Sequence, residues 1–262
     1  MDTNIYYFTG TGNSLDVARK LGEKIENANV LSIVQTVTQE RVIASDIVGI
    51  VCPIYMYNIP LIVSDFIKKI KNAHYLFLVF AGGGELGSAM NVAQKLCASQ
   101  HMTLASAFSV TMPSNYTPYG STPEEKQQEY FRNAEKKIEE IVKVVVAQEE
   151  SIEQSDTSFF KAYIHPGLFY KLGYHSIHVM DKSFLADEQC NGCAICQKVC
   201  PVQNITMVDE KPQWHSRCQQ CYACLQWCPK EAIQYGKKTV GIQRYHHPNV
   251  TVNDVIHSSS ET

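Results

Sequence analysis

Eight of the chain's ten cysteines fall into two copies of a single spacing. Each copy reads C-x2-C-x2-C-x3-C-P, and every cysteine of the second copy stands 28 residues after its counterpart in the first. The first copy is Cys190, Cys193, Cys196 and Cys200, and the second is Cys218, Cys221, Cys224 and Cys228. This is a spacing that ligates iron–sulfur clusters, and the proline after each fourth cysteine keeps the chain from continuing as a helix.

Two other uses of closely spaced cysteines fit this segment less well. Structural zinc sites usually pair two C-x2-C knuckles across a longer insert. Disulfide frameworks are typical of small secreted domains, whereas 262 residues are enough to bury a large core without covalent links. We therefore expect two [4Fe-4S] clusters and single-electron chemistry.

The segment from about Phe184 to Lys238 resembles the bacterial two-cluster ferredoxins. The resemblance includes Phe184 ahead of the first run, the apolar stretch Ile205–Val208 between the runs and Ala232-Ile233 after the second. In such ferredoxins the fourth cysteine of each run ligates the cluster of the other run. The resemblance thus implies two crossed sets: Cys190, Cys193 and Cys196 with Cys228, and Cys218, Cys221 and Cys224 with Cys200.

A second cofactor signal lies near residue 10. The β-prone run Asn4–Phe8 is followed by a loop of glycines and hydroxyl residues, Thr9–Ser14, and then by a helical pattern from Leu15 to Ile25. A strand, such a loop and the start of a helix present backbone N–H groups and a helix dipole to a phosphate.

Three kinds of nucleotide loop compete for this segment. It has no lysine where a P-loop needs one, and Leu15 occupies the place of the third glycine of a dinucleotide fingerprint. The loop is similar to the flavodoxin phosphate loop, T-x-T-G-x-T, with serine at its last position. That resemblance implies FMN bound at Thr9, Gly10, Thr11, Gly12, Asn13 and Ser14, and a plain β–α turn is the alternative.

Alternating strand-like and helical runs fill the first half of the chain. The strand-like runs are Val30–Ile33, Asp46–Cys52, Tyr75–Ala81 and Leu104–Met112. The helical runs are Leu61–Lys71, Ser88–Gln100 and Glu124–Ala147. The pattern predicts an α/β fold with a doubly wound, five-stranded parallel sheet in the flavodoxin order 2-1-3-4-5. A small α+β two-cluster ferredoxin domain follows it.

Two further loops at the carboxyl ends of predicted strands are suited to a flavin ring. One contains two tyrosines able to stack on an aromatic ring, although ordinary packing is an equal alternative for each. The other is a run of glycines that lets backbone approach the ring, where many flavodoxins have an aromatic residue. The expected flavin contacts are Pro53, Tyr55, Tyr57, Asn58, Gly82, Gly83 and Gly84. Asn115 and Tyr116, after the last strand, are weaker candidates.

Together the two halves resemble the flavodoxin–ferredoxin fusion family of anaerobic bacteria and archaea. We expect a flavodoxin-like FMN-binding domain at residues 1–150, an aromatic-rich connector at 151–182, the ferredoxin domain at 183–240 and a tail at 241–262. The connector's aromatics suggest a fixed interface between the domains, and the tail is expected to be loosely held from Arg244 onward.

Composition and net charge limit which binding partners and which cellular compartment are expected. The net charge of −3 makes nucleic acid an unfavourable partner, and no apolar run approaches the length of a membrane span. No basic leader precedes the first strand, and free thiols suit a reducing compartment, so a cytoplasmic location is expected.

These cofactors predict electron transfer, because FMN takes one or two electrons and each cluster takes one. The first hypothesis is a carrier that links one-electron donors to two-electron chemistry. The second is an FMN- and iron–sulfur-dependent oxidoreductase that reduces a small acceptor such as a quinone, a nitro compound or dioxygen. A redox-sensing module is a third. The partner is accordingly a redox protein or a small electron acceptor, and no catalytic acid, base or nucleophile stands out.

Overall fold

A computed structural model describes residues 1–40, 43–83, 86, 88–153 and 174–256. The first part of the chain forms a parallel sheet of six strands in the order β2-β1-β3-β4-β5-β6. The strands are β1 (Thr3–Tyr7), β2 (Ala28–Ser32), β3 (Ile43–Cys52), β4 (Ile70–Gly82), β5 (Ser106–Thr111) and β6 (Ser151–Ile152). The predicted flavodoxin-like order 2-1-3-4-5 is confirmed.

The sixth strand corrects the predicted count of five. Strand β6 has only two residues, too few for a strand pattern to be recognised, and lies in the segment expected to be a connector. Gln148 ends the preceding helix in a left-handed conformation, with a φ of 52°. The chain then runs along the free edge of β5, where Ser151 N–H donates to the carbonyl of Ala105 at 3.0 Å.

Helices cover both faces of the sheet. They are α1 (Asn13–Lys24), α2 (Ile33–Thr38), α3 (Leu61–Ile67), α4 (Ala89–Ser99) and α5 (Glu124–Ala147). Helix α5 has the predicted bounds, α2 was not predicted, and α3 ends four residues before the predicted Lys71 because Ile70 already begins β4. None of the helices in the described ranges is long and apolar enough to cross a membrane.

The two faces of the sheet bury separate apolar cores. Neighbouring residues of β3 point to opposite faces, so Ile50 packs in one core and Val51 in the other. Helices α3 and α4 close the first core, whereas α1 and α5 close the second. Helices on both sides leave only the strand ends open to a ligand.

The second part of the chain is a small α+β unit built on the cysteine repeat. It begins with a 3₁₀ helix at Tyr174–Ser183 and contains β7 (Phe184–Ala186), α6 (Ile195–Lys198), β8 (Ile205–Val208), β9 (Lys211–Trp214), α7 (Ala223–Gln226), β10 (Ile233–Tyr235) and α8 (Val252–Val255). Strand β7 pairs antiparallel with β10, and β8 pairs antiparallel with β9. The 28-residue repeat extends to the backbone, because Ala194 and Tyr222 both precede their short helix with a φ of 59°.

The expectation of a loosely held tail was wrong for residues 244–256. Tyr245, His247, Val250 and Val255 are all buried there. They pack across the N-terminus of α1, so residues 244–256 lie against the first domain. The remainder of the expected tail, residues 257–262, lies outside the described residues.

Candidate functional site

Four loops meet at the carboxyl edge of the sheet. They follow β1 (Thr9–Ser14), β3 (Pro53–Pro60), β4 (from Gly82) and β5 (Met112–Tyr119). Neighbouring carboxyl ends of parallel strands form the crevice where α/β sheets bind ligands. The Asn13 amide joins two of these loops by donating to the carbonyl of Pro113 at 2.9 Å.

The loop after β1 is buried and tightly turned. Gly12 has a φ of 102°, which a residue with a side chain rarely adopts. Its N–H donates to the Thr9 hydroxyl at 3.0 Å, so the loop is held partly by its own residues. The segment that was predicted to bind a phosphate is therefore a compact turn at the start of α1.

The N–H side of this loop carries donors without partners among the described residues. The amide groups of Thr11, Asn13 and Ser14 donate no hydrogen bond to any residue in the described ranges. The residue Ser14 is only 1% exposed, and its hydroxyl also has no hydrogen-bond partner among the described residues. Buried donors are seldom left unpaired, so this side of the loop fits an anionic group that the protein itself does not supply.

The carbonyl side of the same loop is held by the C-terminal part of the chain. The indole Nε1 of Trp227 donates to the carbonyl of Gly10 at 2.9 Å, and His247 N–H donates to the carbonyl of Thr11 at 2.8 Å. The Tyr245 hydroxyl donates to Asn13 Oδ1 at 2.6 Å. The contacts from the second domain thus use the acceptors of the loop and leave its donors unused.

The loop after β3 places one of its two tyrosines inside and the other outside. Tyr55 is buried edge-on against Phe8, with ring centroids 6.1 Å apart, whereas Tyr57 is 49% exposed. Burial raises the pKa of the Tyr55 hydroxyl, and the neighbouring Cys221 raises it further. The Asn115 side chain lies close enough to lower that pKa, yet no hydrogen bond of normal geometry joins the two.

Asn58 is fully buried in the same loop. Its Oδ1 accepts from the N–H of Ile59 at 2.7 Å, which fixes the side chain, but its Nδ2 has no partner among the described residues. Pro53 directly follows β3, and Tyr55 and Asn58 close a small backbone bridge. Of the four predicted residues, Pro53, Tyr55 and Asn58 are buried and only Tyr57 is exposed.

The glycines after β4 differ in what surrounds them. A Cβ added to Gly83 would lie 2.7 Å from the carbonyl oxygen of Met112, so no side chain fits there. A Cβ added to Gly82 would lie 3.8 Å from its nearest neighbour, the backbone nitrogen of Ile54, which is an ordinary contact. Gly83 thus allows the close approach of two loops, and the predicted Gly84 lies outside the described residues.

The cysteines of the first crossed set come together near the surface. Cys193 is exposed, Cys190 and Cys228 are half-buried, and Cys196 is buried. Burial raises the pKa of the Cys196 thiol to about 12, and the charges of Cys228, Cys193 and Cys190 act in the same direction. A cluster's iron would offset this repulsion, because it binds thiolates and supplies positive charge.

The cysteines of the second crossed set are more deeply placed. Cys200, Cys221 and Cys224 are buried, and Cys218 is half-buried. All four line one cavity, together with Phe184, Ile205 and Tyr222. The charges of Cys218 and Cys200 raise the pKa of the Cys221 thiol beyond the effect of its burial. The donor chemistry of both sets fits iron–sulfur clusters.

The described residues contain no group of three His, Cys, Asp or Glu side chains arranged to hold a single metal ion. The two remaining thiols, Cys52 and Cys97, are buried in the core of the first domain.

The second cysteine run lies directly against the loop after β1. A Cβ added to Gly10 would lie 2.5 Å from the carbonyl oxygen of Cys221 and 3.1 Å from the Tyr55 hydroxyl. The Gln226 amide donates to the Asn115 carbonyl at 2.7 Å, and Ile62 N–H donates to Gln219 Oε1 at 3.0 Å. The more buried cysteine set therefore faces the carboxyl edge of the sheet.

Sequence reasoning did not identify the residues that join the two domains. Trp227, Gln226, Tyr245 and His247 contact loops more than 100 residues away, and no local pattern encodes such a pairing. The one available signal was Trp227, a bulky aromatic inside a cysteine run. Five aromatics of the expected connector (Phe159, Phe160, Tyr163, Phe169 and Tyr170) lie outside the described residues.

Residues 182–229 match the family model of the 4Fe-4S dicluster domain. This match spans both cysteine runs and identifies an iron–sulfur domain in the C-terminal part of the chain. Curated protein sequences gave no match to the chain.

Several solved structures share part of this fold at low identity. They include rubredoxin oxygen:oxidoreductase from Desulfovibrio gigas (15% identity, 56% of this chain and 37% of that one, TM-score 0.32). Another is an FMN-dependent NADH-azoreductase from Bacillus anthracis in complex with FMN (12% identity, 55% of this chain and 99% of that one, TM-score 0.38). A third is a flavodoxin from the domain Archaea (16% identity, 55% of this chain and 99% of that one, TM-score 0.30). This chain spans well under half the length of the rubredoxin oxygen:oxidoreductase. At these identities and TM-scores, the three likenesses indicate nothing about the function of this chain.

Proposed function

We propose that the protein is an electron-transfer iron–sulfur flavoprotein that passes electrons between two [4Fe-4S] clusters and FMN. The observation that carries the proposal is the contact of Cys221 with Gly10, where the deeper cysteine set touches the candidate phosphate loop. Two redox cofactors bound on either side of this contact would be close neighbours. Such a protein joins one-electron carriers to two-electron chemistry, because FMN takes one or two electrons and each cluster takes one.

The proposed cluster ligands are the two crossed sets. Cys190, Cys193, Cys196 and Cys228 would hold the outer cluster, and Cys200, Cys218, Cys221 and Cys224 the inner one. The charges that raise the pKa of Cys196 come from its own run and from Cys228, which supports the exchange of fourth ligands.

The proposed flavin is FMN, with its phosphate at the N–H side of the loop Thr9–Ser14. The unpaired amides of Thr11, Asn13 and Ser14 and the Ser14 hydroxyl support this assignment. Tyr55, Asn58, Gly82 and Gly83 belong to the adjoining loops and would border the rest of the flavin. The residues' part is to bind and orient the cofactor and to exclude water from it.

A second candidate function is the reduction of a small acceptor at the flavin. Gly82 and Gly83 favour it, since they bring backbone without side chains to a place where many flavodoxins carry an aromatic. The acceptor would be a quinone, a nitro compound or dioxygen. In both cases the partner that delivers electrons is a one-electron carrier, and the thiols and clusters suit a reducing compartment such as the cytoplasm.

Composition analysis of anaerobically purified protein tests the cofactors. We expect about eight iron and eight acid-labile sulfide per chain, and FMN as the flavin released on denaturation. Zinc without sulfide would overturn the clusters. FAD, or no flavin after reconstitution, would overturn the FMN site.

Rapid mixing with a one-electron donor tests the connection between the cofactors. We expect flavin reduction at a rate independent of protein concentration, because the transfer is intramolecular. The rate should fall sharply in Cys221→Ala and stay unchanged in Cys97→Ala, a buried thiol outside both sets. A rate that rises with protein concentration would mean that the two halves act separately. Steady-state reoxidation by small acceptors then separates the reductase from the carrier.

A further inference from the structure

The last described stretch of the chain, residues 244–256, runs from the iron–sulfur domain back over the loop after β1; it is called the strap below. Its buried residues Tyr245, His247 and Val250 lie beside this loop. A Cβ added to Gly12 would lie 2.9 Å from the Cβ atoms of both His247 and Val250. The strap thus packs against the candidate phosphate loop at Gly12.

The strap is anchored to helix α1 beyond the loop. Asn249 Nδ2 donates to Asp16 Oδ1 at 3.2 Å, and the Arg19 guanidinium pairs with the Asp254 carboxylate. Thr251 and Asp254 form a capping box that starts the short helix α8. Contacts at both ends keep the strap in one place over the N-terminus of α1.

The bonds from the second domain fix the direction of individual peptide groups in the loop. A trans peptide is planar, so its C=O and N–H point in opposite directions. Because Trp227 holds the carbonyl of Gly10, the N–H of Thr11 is turned to the other side. Because His247 holds the carbonyl of Thr11, the N–H of Gly12 is turned toward the Thr9 hydroxyl.

The strap adds a side-chain anchor at the start of the helix. The Tyr245 hydroxyl holds Asn13 Oδ1, and the Asn13 amide in turn holds the carbonyl of Pro113. These bonds set the loop in the form whose amides at Thr11, Asn13 and Ser14 remain free of partners among the described residues. A loop held in its binding form binds more tightly, because less order is lost on binding.

We propose that the strap is a positioning element of the flavin phosphate site. It holds the Thr11 carbonyl and the Asn13 side chain so that the N–H side of the loop Thr9–Ser14 is preorganised for a phosphate. The inference rests on the proposed function, because it assumes FMN at this loop. It adds that the C-terminal stretch, which contributes no cluster ligand, is required for tight flavin binding.

Two truncations test the role of the strap. A stop after Arg244 removes the strap from residue 245 onward, while Arg244 still bonds the carbonyls of Glu231 and Ile233 within the iron–sulfur domain. A stop after Ile256 removes only residues 257–262 and is the matched control. FMN affinity is measured by fluorescence quenching on deflavinated protein, and iron content on the same samples.

With iron content equal to that of the full chain, the shorter protein should bind FMN about tenfold more weakly or worse, since its loop has lost its order. The control should bind as the full chain does. Equal FMN affinity in the shorter protein would overturn the inference. If the full chain itself binds no FMN, the proposed function fails instead, and the two failures are thus distinct.

Point variants decide the matter if the shorter protein does not keep its iron. Tyr245→Phe removes only the bond to Asn13, and Val250→Ala removes the methyl groups that pack beside Gly12 and in the first core. The double variant should keep its clusters and bind FMN several-fold more weakly. Unchanged affinity in that variant would overturn the inference.

Discussion

Ser14 is the single residue whose surroundings most directly suggest a missing ligand. Its hydroxyl is buried and lacks a partner among the described residues, at the start of a helix whose dipole favours an anion. Ser14→Ala should weaken FMN binding by about 1.5–3 kcal/mol, the range for a hydrogen bond to a charged group. A flavin titration of anaerobic protein measures this change.

The control for this variant is Ser99→Ala, which removes a hydroxyl at the end of α4 that bonds only the nearby Leu96 carbonyl and Gln100 side chain. Ser99→Ala should leave FMN affinity unchanged. An unchanged affinity in Ser14→Ala would place the phosphate elsewhere. Asn13 is unsuitable for the same purpose, because its side chain already joins Pro113 and Tyr245.

Gly10 lies where the two domains touch, and a side chain at this position should weaken their contact. A side chain there would lie 2.5 Å from the carbonyl oxygen of Cys221, and a backbone atom cannot move aside cheaply. Gly10→Ala should therefore loosen the docking of the iron–sulfur domain and slow flavin reduction in rapid mixing, while iron content stays constant. A rate equal to that of the unmodified protein would show that this contact does not govern the transfer.

At the scale of elements, the strap contains a buried histidine, His247, whose protonation should couple its stability to pH. Burial lowers the pKa of His247 below 6.5, and Lys20 acts in the same direction while Asp16 opposes both. The His247 ring also packs against the Phe131 ring, and their centroids are 4.7 Å apart. The folded strap therefore holds a neutral histidine, whereas the unfolded chain takes up a proton as the pH falls below 6.5.

The strap should consequently be most stable above pH 6.5 and lose stability as the pH falls toward the lowered pKa of His247. Urea unfolding between about pH 5 and 7.5 measures this loss. His247→Gln should flatten the dependence, because glutamine has no proton to gain. The same slope in His247→Gln would assign the effect to another group.

Local patterns predicted the longer elements of this fold and missed the shorter ones. Helix α5 repeats its apolar residues at helical spacing over 24 residues, and its bounds were predicted correctly. Helix α2 has six residues and strand β6 has two, so neither contains enough repeats to show a period. Their formation depends on the neighbours they pack against.

At the scale of the whole molecule, the sequence predicted two candidate cofactor segments but not how they meet. Cysteine spacing and the loop Thr9–Ser14 are local signals, because their chemistry needs given residues at given distances. The docking depends on bonds such as Trp227 to Gly10, across 217 positions, and Tyr245 to Asn13, across 232. Single side chains carry those bonds, so no local pattern in the sequence predicts which residues they join.

The two cysteine sets differ in exposure, so the clusters that they would hold should differ in how fast they lose iron. Cys193 of the outer set is exposed, whereas Cys221 of the inner set is buried beside Gly10. Attack on a cluster by oxygen or a chelator depends on access to it. Iron should therefore leave in two phases of about half each, the outer cluster first.

Cysteine variants assign the two phases. Cys193→Ala should retain only the slow phase and Cys221→Ala only the fast one, and iron release followed by visible absorbance measures both. After the fast phase the inner cluster should still exchange electrons with the flavin, because Cys221 of the inner set adjoins the loop after β1. A single phase, or the reverse assignment, would contradict this order. Loss of flavin reduction together with the fast phase would place the flavin beside the outer cluster instead.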